Sequence, residues 1–107
     1  MNKKLEKKIL DREMTCSADP NPQVVGFVEE ILKEMHRAEV LHPNWPTDPV
    51  HAAAILSEEA GEVVKAVNNI VEKHLDDSDY RTEAIQCGAM CLRFLKNLEK
   101  FDWNIKL

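Results

Sequence analysis

The sequence predicts an all-α fold: a compact helical bundle of three main helices plus a short N-terminal helix. Three observations carry this. Apolar residues recur at i, i+3, i+4 and i+7 along three long stretches, the period of one helix face. The chain has three glycines in 107 residues, and its prolines (Pro20, Pro22, Pro43, Pro46 and Pro49) fall in two clusters, so long segments run without a breaker. No stretch shows the period-two alternation of a strand.

Each element has its own justification. Residues 2–14 are highly charged, with Leu5, Ile9 and Leu10 as a weak apolar stripe, and predict the short N-terminal helix. Asn21 before Pro22 is an N-cap followed by a proline at the first helical position, so the first main helix starts there and runs to about Leu41. Its predicted core stripe is Val24, Val25, Val28, Ile31, Leu32, Met35 and Ala38, with Glu29, Glu30, Lys33, Glu34 and Arg37 opposite. Residues 42–49 hold three prolines and predict a stiff, extended connector. Asp48 before Pro49 repeats the cap signal, and the second helix runs from there to about Leu75. Its buried face is predicted to be Ala53, Leu56, Ala60, Val63, Val67, Ile70 and Val71. The acidic run Asp76–Asp79 ends that helix and caps a third, which extends to about Lys100 on a stripe of Cys87, Met90, Phe94, Leu98 and Phe101. The amphipathic tail 101–107 is expected over an exposed edge or a partner subunit. The whole chain, 1–107, is one domain, with 1–21 a peripheral segment and 22–101 the helical core.

A net charge of −5 argues against nucleic acid or an anionic membrane as the main partner. Three cysteines (Cys16, Cys87 and Cys91), without a signal peptide or a long apolar run, point to a reducing cytoplasm. Cys87 and Cys91, four apart on one helix, read as reduced thiols in or near the core. The histidines His36, His51 and His74 read as solvated or capping residues.

Candidate chemistry starts from carboxylates. Glu58, Glu59 and Glu62 crowd into little more than one turn of the second helix, fanning outward from the edge of its apolar stripe. Like charges at this spacing repel, by roughly 0.7 kcal/mol per pair in water and about 3 kcal/mol at an effective dielectric of 20. A solvated trio is cheap; one set against the core is costly unless a cation compensates it. Gly61, in their midst, weakens the helix by up to about 1 kcal/mol relative to alanine, a cost most easily explained by a close approach. Extending the third helix's stripe back one turn lands on Glu83, a carboxylate in line with a buried face. These four residues come from two helices that must pack together. Oxygen ligands without His or Cys select Mg²⁺, or Mn²⁺, over zinc, and such ions usually bridge to phosphates. The alternative is four ordinary surface glutamates. The one Glu-x-x-His pair, Glu39 and His42, is too little for a di-iron bundle, which needs two.

The words Glu58-Glu59-Ala-Gly-Glu62 and Glu83-Ala-Ile-Gln86, with their flanks His42-Pro-Asn-Trp-Pro, Asp48-Pro-Val-His51 and Gly88-Ala-Met-Cys-Leu-Arg93, resemble the MazG-like all-α nucleotide pyrophosphohydrolase superfamily. The resemblance covers about residues 24–100 and is closest to its small single-domain branch. It implies Mg²⁺-dependent hydrolysis of a nucleoside triphosphate to the monophosphate and pyrophosphate. It also implies that Glu58, Glu59, Glu62 and Glu83 are the metal-binding, catalytic carboxylates, and that the chain assembles as a homodimer or homotetramer that completes the bundle. Gln86 stands where the signature has Asp; its amide oxygen is a weaker, uncharged metal ligand. That departure keeps a second expectation alive, a catalytically degenerate relative that binds a nucleotide or serves as a helical interaction module. For the substrate, Trp45 is a candidate to stack on a base, Arg93 to hold a phosphate, and His51 and Asn69 to supply polar contacts. Each also has a structural reading, as a core plug, an ion-pair partner or a solvated side chain.

Overall fold

The computed structural model describes residues 21–74 and 79–104. The expected N-terminal helix, Cys16, Leu75 and the end of the tail lie outside the described residues. Within them the chain is all-helical: α1 (Pro22–Leu41), α2 (Pro49–Lys73), α3 (Tyr80–Lys96) and a 3₁₀ turn at Leu98–Lys100.

Both predicted cap pairs form. The Asn21 side chain accepts hydrogen bonds from the backbone N–H of Gln23 (2.9 Å) and Val24 (3.4 Å), and Asp48 accepts from Val50 (2.9 Å) and His51 (3.4 Å). Each satisfies donors that a helix start leaves orphaned, with proline at the position whose missing N–H costs nothing. α2 ends at Lys73, two residues short of the predicted limit, because His74 turns into the left-handed region at φ 53° and closes the helix as its C-cap. Asp79 begins α3, but its side chain makes no cap bond. The predicted run of α3 to Lys100 is corrected. Asn97 donates its side-chain amide to the Arg93 carbonyl at 2.7 Å, taking an acceptor the next helical turn would use, and the chain tightens into the 3₁₀ turn.

α3 is the central helix, packed against both α1 and α2, which scarcely touch each other. Its contact with α1 is close. A Cβ placed on Gly88 would stand 3.0 Å from the Cδ1 of Ile31, so glycine lets the two helices approach. No Cβ is crowded at Gly61, where a close approach was expected.

The predicted stripes are wider than the faces that bury. On α1, Ile31, Met35 and Ala38 turn inward, while Val24, Val28 and Leu32 remain about half exposed. On α2 the packed track is Ala52, Leu56, Glu59, Val63, Ala66 and Ile70, all buried or half-buried. Ala53, Ala60, Val67 and Val71, predicted to be core, are exposed. The reason is topological: α2 has one described neighbour, α3, and one helix can cover only one side of a wide stripe. Among the described residues the buried apolar core is correspondingly small: Ala38, Ala52, Ala89 and Phe101. Cys91, predicted in or near the core, is exposed, and Cys87 is half-buried.

The tail returns to the connector. The Asp102 N–H donates to the Thr47 carbonyl at 2.8 Å, and Phe101 packs on Phe94 with ring centroids 5.0 Å apart. Trp103 meets Phe101 edge-on and is otherwise solvent-exposed.

Candidate functional site

Glu59 is the centre of the site because it occupies a packing position. It is the third member of the α2 track that faces α3, flanked along that track by Leu56 and Val63, and it is half-buried. Burial pushes its carboxyl above the ordinary range for glutamate, and the negative charges of Glu83, Glu62, Glu58 and Glu34 push it further in the same direction. Glu83, in the first turn of α3, bears on it more than Glu62, its neighbour three residues along the same helix. The α2 and α3 carboxylates therefore feel each other's charge across the helix interface. Glu83 is half-buried beside Glu59, whereas Glu58 and Glu62 are exposed.

Glu34 was missed by sequence reasoning, which set it opposite the buried face of α1. It lies instead at the border of that face, three residues after Ile31 and four before Ala38, with its side chain 16% exposed. Those two intervals were the available signal. Arg37 clasps it with two hydrogen bonds, one from Nε at 2.8 Å, and the bonded guanidinium holds the Glu34 carboxyl below its ordinary range. Arg37 itself reaches solvent. Carboxylates of three helices thus share one acidic locus, with one cation at its edge.

Cys87 borders this locus one turn after Glu83. Burial pushes its thiol upward, with Cys91 and then Glu59 adding to the shift. A thiol so placed is held protonated and is a poor nucleophile.

The other candidates sort differently. Arg93 is 4% exposed. Its guanidinium donates to the His42 carbonyl and stacks over Trp45 with Cζ 4.9 Å from the ring centroid. Its structural partner is therefore a carbonyl and an aromatic face rather than an acidic side chain. Trp45 is a half-buried plug under that cation, and its indole N–H is buried without a hydrogen-bond partner among the described residues. Together they fasten the connector to α3. His51 is exposed and Asn69 half-buried, two turns before Glu58 and two turns after Glu62, about 10 Å away along the axis in each case. Gln86 is half-buried, one turn after Glu83.

The donor set suits a hard cation in kind, being carboxylate oxygen with one amide. In spacing it is open: among the described residues, no three Asp, Glu, His or Cys side chains are gathered closely enough to hold a metal ion. The described helices include none long and apolar enough to cross a membrane.

Comparison with protein-family models, with curated proteins and with solved structures returns no match.

Proposed function

We propose that the acidic locus between α2 and α3 is the site of a nucleoside triphosphate pyrophosphohydrolase, adding water across a phosphoanhydride to release a nucleoside monophosphate and pyrophosphate. The observation that supports it most is Glu59. A carboxylate in a helix-packing position, with four others bearing on it, is a standing cost to the fold that a bound cation relieves. The words Glu58-Glu59-x-x-Glu62 and Glu83-x-x-Gln86 and their resemblance supply the phosphate chemistry. Glu58, Glu59, Glu62 and Glu83 are the proposed metal-binding and catalytic residues, Gln86 an auxiliary ligand, and Mg²⁺ the cation, with Mn²⁺ its substitute. When bound, such an ion neutralises phosphate charge and acidifies water. Among the described residues these carboxylates are openly spaced, so their side chains would have to close up to hold it. Arg37, at the edge of the locus, is a better placed cation for a phosphate than Arg93, which the connector occupies. A cytoplasmic homodimer or homotetramer, without a nucleic-acid or membrane partner, completes the reading.

The second reading is a degenerate relative that binds a nucleotide without turnover. Gln86 in place of a carboxylate favours it.

Pyrophosphate release across a panel of nucleoside triphosphates with Mg²⁺ tests the first reading, and calorimetric titration with Mg²⁺ and a non-hydrolysable analogue tests both. Release that is lost in Glu59→Gln supports the hydrolase. Binding without release supports the degenerate relative. A wild-type protein that binds neither ion nor analogue removes both.

A further inference from the structure

Glu34 belongs to the acidic locus but to neither of the sequence words on which the proposed function rests. Its helix, α1, runs parallel to α3. Arg81 pairs with Glu30 at 2.6 Å and Lys96 with Glu39 at 2.8 Å, offsets of 51 and 57 residues that set Glu34 level with Ile85 to Cys91 of α3. Ile31, which packs on Gly88, lies one turn before Glu34 on the same side of α1. On α3, Gln86 is one residue before Cys87 and Gly88 one after, so they stand about 100° to either side of Cys87, which follows Glu83 by one turn. Glu34 therefore reaches the locus from the Gly88 flank and Gln86 borders it on the other. The Glu34 charge is felt at Glu59.

We propose that Glu34 is a fifth cation-binding carboxylate of this locus, clasped by Arg37 in the free protein and released when a nucleotide phosphate takes the guanidinium. The inference rests on the hydrolase reading and names how that site is loaded. Gln86 leaves the signature one negative charge short. Glu34 restores the charge, though not the ligand position, which lies on the opposite flank. The exchange of partners is favourable on both sides. Arg37 is 57% exposed and joins a residue one turn away on its own helix, so solvent screens the clasp and little holds it. Its planar fork fits a phosphate as well as a carboxylate, and a phosphate chain carries more charge. Glu34, with its side chain 16% exposed, has little water to turn to once freed, and a cation is the partner that satisfies it. Its carboxyl is held below the ordinary range, so it is ionised at neutral pH. Cation and nucleotide then each bind more tightly in the presence of the other.

Binding of Mn²⁺ to the full chain, with the free ion counted by electron paramagnetic resonance, tests this without any turnover. Arg37→Ala frees Glu34 and should tighten Mn²⁺ about fivefold. In a Glu34→Gln background the same change should move the affinity less than twofold. Arg37→Gln repeats the comparison with the length of the side chain largely kept, and each variant should retain the helical circular dichroism spectrum. In nitrogen-15 spectra of the wild type, the Arg37 Nε–H signal should shift when the Mg²⁺ complex of a non-hydrolysable nucleoside triphosphate is added to saturation. Equal tightening with and without Glu34 shows a charge felt at a distance rather than a ligand and overturns the proposal. So does an Arg37 variant that binds Mn²⁺ like the wild type, or an Arg37 signal unmoved at saturation. The two readings fail separately. Mn²⁺ that binds the wild type and is lost in Glu59→Gln, yet is indifferent to Glu34, removes the role of Glu34 alone. A wild type that binds no Mn²⁺ removes the hydrolase reading and this inference with it.

Discussion

Replacing Glu59 by glutamine should stabilise the protein at neutral pH, the reverse of what removing a half-buried packing residue ordinarily does. Glutamine keeps the shape and removes the charge. The charge is unfavourable for two reasons: Glu59 is partly desolvated against α3, and Glu83, Glu62, Glu58 and Glu34 bear on it. A pair of carboxylates about 6 Å apart costs roughly 0.7 kcal/mol in water and about 3 kcal/mol at an effective dielectric of 20. With Glu58 and Glu62 exposed and Glu83 half-buried, solvent screens most of these pairs below that range, and the net gain is about 1–2 kcal/mol. For a domain of this size that raises Tm by roughly 5–12 °C.

The pH dependence follows from the direction of the shift. The Glu59 pKa is raised in the folded state, so the stability linked to its protonation is fully present below the unfolded value, about 4.3, and is lost as pH rises through the folded value. Wild type and variant should therefore melt together in acid and separate toward neutrality. At 1 M salt, where screening acts within about 3 Å, the Coulombic share of the difference shrinks and the desolvation share persists. The assay is thermal unfolding followed by circular dichroism at pH 4 and pH 7, at low and high salt. A Glu59→Gln protein that melts lower than wild type at pH 7 and low salt refutes the reasoning. Added Mg²⁺ extends the test: if the locus binds the ion, Tm of the wild type climbs with concentration and that of Glu59→Gln does not.

Four further outcomes are expected. Arg93→Lys keeps the charge but loses the planar stack on Trp45, and should cost about 1–2 kcal/mol by urea unfolding. Gly88→Ala gains about 1 kcal/mol of helix propensity but drives a methyl against Ile31; combined with Ile31→Val, which clears the Cδ1 it would strike, the double variant should be more stable than Ile31→Val alone. Gln86→Asp should tighten Mg²⁺ binding by calorimetry and raise pyrophosphate release; unchanged values for both would show that this position faces no cation. Arg37→Ala should make the protein less sensitive to acid. The Glu34 pKa is lowered by its bond to Arg37, so that contribution is present above the ordinary glutamate value and lost as pH falls through the lowered one.

The helices were legible because their start signals are local. Asn21-Pro22 and Asp48-Pro49 each place a side-chain acceptor over orphaned backbone donors, and nothing distant is needed to make that favourable. The end of α3 was not legible, since it turns on the Asn97 amide choosing the Arg93 carbonyl, one of several bonds open to it. Which part of each apolar stripe buries was also out of reach. Periodicity reports that a face is apolar, whereas the number of helices covering it is a property of the assembly. Val67 and Ile70 fit the same stripe, yet one is exposed and the other half-buried.

The acidic site divides along the same line. Glu83 was found because it falls on an apolar stripe, a conflict between residue and position that sequence displays directly. Glu34 escaped because its Arg37 partner makes it look like an ordinary surface pair, and only the approach of α1 to α3 brings its charge to Glu59. Arg93 shows the converse. Its charge suggested a ligand, but a guanidinium beside a rigid connector can satisfy itself on a carbonyl and a ring. The two cases share a rule: a charged side chain is committed to structure when its partners lie on another element and it is itself buried, as Arg93 is. It stays available when it clasps a helical neighbour and reaches solvent, as Arg37 does. On that rule Arg37 and the four carboxylates near Glu59 are the charges free to respond to a ligand, and Arg37→Ala, compared with Arg93→Lys, separates the two kinds. If an anionic nucleotide binds here, Arg37→Ala should weaken it about tenfold or more while Arg93→Lys lowers Tm and leaves affinity within about twofold.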